Sequence, residues 1–294
     1  MYNKSMQEIS VTPADSGLRT DIFIAKNFPQ FRRATLTKLF DGIHVLVNDQ
    51  SVKYGYKLRV GDKVQVDISP LSNSPKPVAV PIIYEDDDVV VMDKPAGMLT
   101  HSKGSFNDEA TVASFLATKI TDPGLIGNRA GVVHRLDRAT SGVIIGAKNS
   151  STQVWLQKQF SSHKVKKTYL AVVEGIPEPK TAIIDVPIGR NPRHPQTFTV
   201  TPLGRPAQTE YNLLKTSSGK DINESQVELK PTTGRTHQLR VHMAYIGHPI
   251  VGDNVYGHQN QHMMLHAYKL ELTIPGGQRK VFSAPIPENF KELV

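Results

Sequence analysis

Between Ser69 and Pro81 the chain carries four prolines and three serines. Proline fixes φ and lacks the N–H that helix and sheet ladders need, so this stretch predicts an extended, semi-rigid spacer. It divides the chain into a small module over residues 16–75 and a larger one over residues 81–294. A length of 294 residues accommodates that division.

Ahead of the small module, residues 1 to about 15 are polar and aperiodic and read as a frayed tail. Asp21 to Lys26 places Ile22, Phe23 and Ala25 on one helical face. Thr35 to Phe40 repeats the apolar spacing, and Asp41-Gly42 supplies a stop. Ile43 to Val47 reads as a strand turned by Asn48-Asp49, and Leu58 to Ile68 as a turn followed by period-two alternation. The helical part carries Arg19, Lys26, Arg32, Arg33 and Lys38 against Asp21 and Asp41. By charge alone, a solvated face and a phosphate-binding face are equally compatible with it.

The larger module opens with the buried strand Val89-Val-Val-Met and the string Asp93-Lys-Pro-Ala-Gly97. Asn107 or Asp108 would cap a helix whose face is Val112, Phe115, Leu116 and Ile120, ended by Pro123-Gly124. Gly131 to Gly142 is the densest chemical signal. Asp137 lies between Arg135 and Arg138, followed by Thr140-Ser141-Gly142 and the β-branched strand Val143-Ile-Ile-Gly-Ala. A carboxylate there sits on a tight connection into a buried strand. Ser150 or Ser151 starts a helix carrying Val154, Trp155 and Phe160. Lys158, Lys164, Lys166 and Lys167 form the densest basic patch, beside Tyr169 at a strand start. Further strands are expected around Ile183-Ile184, Tyr211 to Leu214 and Val227 to Leu229. Near the end, Thr236 would cap a short helix buried through Leu239, Met243 and Ile246 and ended by Gly247, with Arg235 just outside it.

Lys plus Arg exceed Asp plus Glu by 35 − 27 = 8, which suits an anionic partner. No apolar run approaches the ~18 residues of a membrane span, and none follows the N-terminus as a signal peptide requires. With no cysteine, the chain has no disulfide, thiolate metal site or cysteine nucleophile. His258, His262 and His266 have helical spacing, but glycine and polar neighbours break that helix and no carboxylate completes a ligand set, so no metal is expected.

His-Arg-Leu-Asp-x-x-Thr-Ser-Gly at 134–142 resembles the active-site motif of the RluA-type pseudouridine synthases. So do "DKPAG" (93–97), "KTY" (167–169), "PIGRNPRHPQ" (187–196), "GRPAQTEYNLL" (204–214), "TGRTHQLRVHM" (233–243) and "LHA" (265–267). The small module resembles the S4 RNA-binding domain through "VND…LRVGDKVQV". Two departures are Asp49, where glycine commonly follows the asparagine, and Gln196, where a basic residue is frequent. Together the likenesses span about residues 17–290.

The resemblance implies an α+β fold with a mixed, largely antiparallel sheet and flanking helices, plus a small N-terminal S4-like α/β domain. It implies isomerisation of uridine in RNA to pseudouridine. Asp137 would be the catalytic nucleophile or base, attacking either the sugar or the base. Arg235 would hold it charged and aimed, and Tyr169 would line the pocket by the target base. Arg135 would fill the gap left by an extruded base. Arg19, Arg32, Arg33 and Lys38, with Lys164, Lys166 and Lys167, would contact RNA. The reaction rearranges bonds without oxidation, so no cofactor and no metal are expected. The partner is RNA, ribosomal RNA ahead of transfer RNA, with the protein a cytoplasmic monomer without membrane contact. Rival readings are a non-catalytic S4-type RNA-binding protein and a metal-dependent RNA hydrolase built on the histidines.

Overall fold

The computed structural model describes residues 6–72, 78–102, 109–125, 127, 129–217, 223–258 and 262–291. The chain forms two compact units, residues 1–77 with 102–110, and residues 78–101 with 111–294.

The smaller unit runs β1 (Gln7–Ser10), α1 (Thr20–Asn27), α2 (Arg33–Leu36), β2 (Val45–Val47), β3 (Gln50–Ser51), β4 (Lys63–Val66) and a helical turn, α3 (Ser69–Ser72). Its sheet has the order β1-β4-β2-β3. Residues 6–15 are therefore not a frayed tail. β1 pairs antiparallel with β4, and Asp15 is buried and bound by Lys26 at 2.7 Å. β1 escapes a pattern reading because it is an edge strand whose side chains are mostly exposed. The apolar face of α1 also differs from expectation. Phe23 and Ile24 are buried with Thr20, an i, i+3, i+4 stripe, while Ile22 is exposed. Ile43 is exposed too, and the strand begins two residues later.

The hairpin at Asn48-Asp49 closes in two residues, with both at positive φ (51° and 65°). That is the backbone a two-residue hairpin with matching strand twist requires, and short polar side chains tolerate it. Asn48 offsets the strain locally: its amide donates to Asp62 and its oxygen accepts the Lys63 N–H. The aspartate standing in place of glycine leaves the hairpin intact.

The larger unit contains β5 (Ile82–Glu85), β6 (Val89–Lys94), α4 (Val112–Ala117), β7 (Ser141–Ala147), α5 (Ser150–Ser161), β8 (Lys166–Glu174) and β9 (Thr181–Asp185). It continues with β10 (Ile188–Arg190), β11 (Phe198–Val200), β12 (Gln208–Thr216), β13 (Glu224–Pro231), α6 (Gln238–Tyr245), β14 (Leu265–Thr273), β15 (Arg279–Ser283) and α7 (Glu288–Lys291). Among the described residues nine strands form one sheet of order β5-β6-β7-β14-β8-β13-β12-β9, with β15 on β14. Neighbours are antiparallel except β7 and β14. β10 and β11 form a separate hairpin.

Among the described residues, the two largest apolar cores of this unit lie against the sheet. One gathers β6, β7, β14, α4 and α5, the other β8, β12, β13 and α6, and Tyr169 packs against both. The helices keep the expected places, and α4 and α6 bury the expected Val112, Leu116, Leu239 and Met243, but the caps and the face of α5 differ. Thr111 caps α4 reciprocally with Ser114, whereas Asn107 and Asp108 lie outside the described residues. Asn149 caps α5 through the Thr152 N–H. Its buried stripe is Thr152, Leu156 and Gln159, with Val154 and Trp155 outward. Trp155 and Gln159 instead bind the Thr273 carbonyl, at 3.1 and 2.5 Å.

At the start of β7, Gly142 has φ +109°, and a Cβ there would lie 2.2 Å from the Ala267 carbonyl oxygen. Only glycine permits β7 to approach β14 this closely. Ser141 Oγ meets His266 Nδ1 at 2.9 Å across the same junction. The loop carrying Asp137 is thereby anchored to the middle of the sheet.

Candidate active site

A cleft of about 660 Å³ opens along the 133–140 loop, the C-terminal part of α5, the start of β8 and the 231–240 segment. Asp137, Arg135, Tyr169, Lys167 and Arg235 all line it. The fold thus brings together residues that lie up to about a hundred positions apart.

The Asp137 loop is held from behind by backbone contacts. Thr100, buried, donates to the Leu136 carbonyl at 2.8 Å and accepts the Leu136 N–H at 3.1 Å. Lys94 is fully buried and donates to the carbonyls of Pro95, Met98 and Arg138 at 2.9, 2.8 and 3.2 Å. Burial pushes its ammonium down to about 8, opposed by the nearby Asp137 charge. The Gly97 N–H also reaches the Arg138 carbonyl, at 2.8 Å. "DKPAG" therefore stitches a turn to the residue after Asp137. His134 accepts the Ile145 N–H at 3.0 Å and stacks on Phe160 at 4.5 Å. Burial, with Lys167 adding, pushes it down to about 3, so it remains a neutral acceptor.

The ion pair to Asp137 comes from Arg240, not Arg235. Arg240 Nη1 lies 3.5 Å from Asp137 Oδ2. Arg235 instead donates through Nε to the Pro206 carbonyl at 2.9 Å. Arg240 is buried and makes a two-pronged contact with Asp253, Nε and Nη2 each 2.7 Å from a carboxylate oxygen. Burial alone would push Asp253 up, but these bonds and the N–H groups of Val255 and Tyr256 hold it below the usual carboxylate range. Arg240 is thus a fixed fork, two donors spent on Asp253 and one edge presented to Asp137.

The start of α6 explains the exchange of roles. Thr236 does not cap it. Gln238, buried, accepts the Arg235 N–H at 3.0 Å and the Thr233 hydroxyl at 2.6 Å, while its amide donates to Gln208 and Thr209. His237 precedes the helix at φ 57°, left-handed for a non-glycine residue. This turn sets the first helical residues, and Arg240 with them, toward Asp137. A buried arginine in the first turn of a helix leaves no periodicity signal, so spacing alone does not separate it from Arg235.

Tyr169 is half-buried on the cleft wall. Burial, with Asp137 adding, pushes its hydroxyl well above its ordinary value. It therefore stays protonated, an apolar wall with a hydroxyl donor. Lys167 reaches the Thr233 carbonyl at 2.8 Å inside the cleft, and burial pushes it down to about 8. It lines the site rather than the open basic patch. Lys164 and Lys166 are exposed, Lys166 lying 3.6 Å from Glu271. Arg135 is exposed at the mouth of the cleft.

In the smaller unit Arg19 is bound to Asp21 at 3.0 Å and lies over the Tyr54 ring, and Arg33 is 3.8 Å from Asp21. Arg32, Arg33 and Lys38 are exposed. The histidines occupy separate places. His258 meets Glu174, His266 lies on β14, and His242 is bound to Thr209 and the Val186 carbonyl. No helix among the described residues is long and apolar enough to cross a membrane.

Residues 88–245 match the RNA pseudouridylate synthase family. The chain is 37% identical to an RNA pseudouridine synthase of Aquifex aeolicus, over 94% of this chain and 92% of that one. It is 34% identical to the ribosomal large subunit pseudouridine synthase D of Nitrosomonas europaea, over 99% and 88%. The solved structure of human RNA pseudouridylate synthase domain containing 1 superposes with a TM-score of 0.58 at 27% identity, covering 72% of this chain and 86% of that one. The sheet, the cleft and these likenesses define a pseudouridine synthase fold, and the chain belongs to the RNA pseudouridylate synthase family. Its activity is the isomerisation of uridine in RNA to pseudouridine.

Proposed function

We propose that Asp137 is the reacting carboxylate and that the substrate is ribosomal RNA. The observation that carries the first part is the convergence on one cleft of a carboxylate, a buried cation 3.5 Å from it and an aromatic wall. Isomerisation breaks the N1–C1′ bond, turns the base and joins C5 to C1′; the C5 hydrogen leaves as a proton and N1 gains one, so the composition is unchanged and nothing is oxidised. It needs a carboxylate that does not wander, a slot for a flat base and a means of extruding that base. Arg240 supplies the first. Tyr169 and the neighbouring cleft wall supply the second. Arg135, exposed with a planar guanidinium, fills the gap left by the extruded base in this reading.

The ribosomal assignment draws on relatives named for the large ribosomal subunit, such as that of Nitrosomonas europaea. Pseudouridines should be mapped in ribosomal and transfer RNA from cells with and without the gene. Loss confined to ribosomal sites is the expected result; loss confined to transfer RNA would overturn it.

The smaller unit is S4-like in this reading and supplies affinity through exposed Arg32, Arg33 and Lys38. Replacing all three by glutamine in the full chain should lower the slope of log affinity against log salt by roughly 0.7–0.9 for each phosphate no longer neutralised. The single-turnover rate at saturating enzyme should be unaffected. An unchanged slope would remove this face from the RNA interface.

A further inference from the structure

Behind Asp137 lies a polar chain to which the isomerisation assigns no role so far. Tyr256 Oη lies 2.9 Å from the Phe198 backbone nitrogen and 2.8 Å from His237 Nδ1. The Phe198 N–H can only donate, so the hydroxyl accepts from it. The hydroxyl can accept a second bond or give its one proton to His237 Nδ1; in the second arrangement Nδ1 accepts. That leaves the imidazole proton on Nε2, and Nε2 lies 3.9 Å from Asp137 Oδ2.

The same carboxylate oxygen faces Arg240 at 3.5 Å. Both of these contacts thus fall on Oδ2. The imidazole is held in place on several sides. Phe198 and Tyr256 meet its ring edge-on at 5.7 and 5.6 Å, and its backbone sits at φ 57°. A non-glycine residue costs about 1 kcal/mol or more in that region, so surrounding contacts must stabilise it. Tyr256 is itself fixed, its ring 5.0 Å from the Arg240 guanidinium and its N–H 3.2 Å from Asp253 Oδ1.

We propose that Tyr256 and His237 are a positioning pair. Tyr256 holds His237 as its Nε2–H tautomer, and that N–H, with Arg240, restrains Oδ2 of Asp137 so that Oδ1 is the oxygen offered to the substrate. The pair rests on Asp137 being the reacting carboxylate. The charges around the ring agree with a neutral imidazole. Burial pushes His237 below its ordinary value; Asp137 and Asp253 oppose this, while Arg240 and Arg135 reinforce it. A neutral ring is what an accepting Nδ1 requires.

The signature is separable from a merely structural role. Tyr256→Phe keeps the ring and its packing but frees Nδ1, so the single-turnover rate should fall about tenfold, the scale of one hydrogen bond. RNA affinity should hold within about twofold. His237→Gln places an amide donor near the Nε2 position and has no Nδ1 to be held. In that background Tyr256→Phe should cost nothing further. Equal losses in both backgrounds would overturn the pair.

If glutamine does not fold at this left-handed position, imidazole nitrogen NMR on the unmodified protein decides instead. His237 should be the neutral Nε2–H tautomer, becoming a mixture in Tyr256→Phe. An Nδ1–H tautomer in the unmodified protein would overturn the proposal. Active Asp137→Asn protein would refute the catalytic assignment itself, a result distinct from an inactive Asp137→Asn enzyme whose His237 and Tyr256 variants are uncoupled.

Discussion

Asp137→Asn should abolish turnover while RNA binding and folding persist. The amide is nearly isosteric with the carboxylate but carries no charge and is a poor nucleophile, so both candidate roles, attack on the sugar or on the base, disappear together. Loss of an attacking group costs on the order of 10⁴-fold or more in enzymes whose remaining site is intact. Asp137 contributes little to the fold. Its contacts to Arg240 and His237 are 3.5 and 3.9 Å long, and Arg240 keeps both short bonds to Asp253 when the charge is removed. Thermal melting should therefore move little. The measurement is tritium release from uridine labelled at C5, alongside filter binding of the same RNA. Near-normal release from folded Asp137→Asn protein would remove the catalytic assignment.

The second large effect is expected at Arg240, and it has two parts that must be separated. Truncating Arg240 to methionine leaves Asp253 fully buried and unpaired, and breaking a buried pair in this way costs roughly 3–5 kcal/mol. Lost activity in that variant alone would be ambiguous. Adding Asp253→Asn removes the stranded charge and should recover most of the stability. It should not recover the rate, because Asp137 still lacks its cation. A deficit of about 10²–10³-fold in single turnover is expected, comparable to losing one preorganised charge-stabilising donor. Arg240→Lys cannot bind Asp253 with two prongs and reach Asp137 as well, so it should also be slow.

The contrast lies with Arg235→Met. The Arg235 side chain hydrogen-bonds the Pro206 carbonyl rather than Asp137, and its loss should change the rate about twofold or less. Calorimetry with single-turnover kinetics reads both parts. A fast, folded Arg240→Met/Asp253→Asn protein, or a slow Arg235→Met protein, would reverse the assignment of the two arginines.

What is legible in the sequence is what local chemistry writes contiguously. The 134–142 string declares Asp137, because polar, basic and turn-forming residues are compressed between two apolar runs. The proline-rich stretch suggests a division into modules, but not its own conformation: Ser69–Ser72 is a helical turn rather than extended spacer, and Val80 is buried in a core. Period-two alternation declares β4, and the Asn48-Asp49 turn declares its hairpin even with aspartate where glycine is frequent. Edge strand β1 is illegible, because a four-residue strand with only Ile9 turned to the core leaves no alternation.

Helix faces are only half legible. Ile22, Val154 and Trp155 are apolar yet outward, while Thr20, Thr152 and Gln159 are polar and buried. Short helices can bury polar groups that bond their own backbone or a neighbouring strand. Thr20 bonds the Tyr56 carbonyl and Gln159 bonds Thr273, so hydrophobicity alone misorients them.

The sequence by itself pointed to the reaction class, to Asp137 as the carboxylate proposed here and to several of the helices and strands, since these rest on residues adjacent in the chain. Only the tertiary structure decided which cation serves Asp137. Arg235 and Arg240 share one motif, and the choice between them depends on where α6 begins. That start is set by Gln238 bonding to Gln208 and Thr209 on β12, about thirty residues away. Asp253 and Tyr256, which hold Arg240 and His237 in place, lie beyond the motif altogether. Their contribution is geometric: a buried fork and one directed hydroxyl, each formed only when β12, α6 and the 253–256 turn have met. No local pattern encodes such a meeting, because hydrogen-bond direction depends on positions that the chain acquires only on folding.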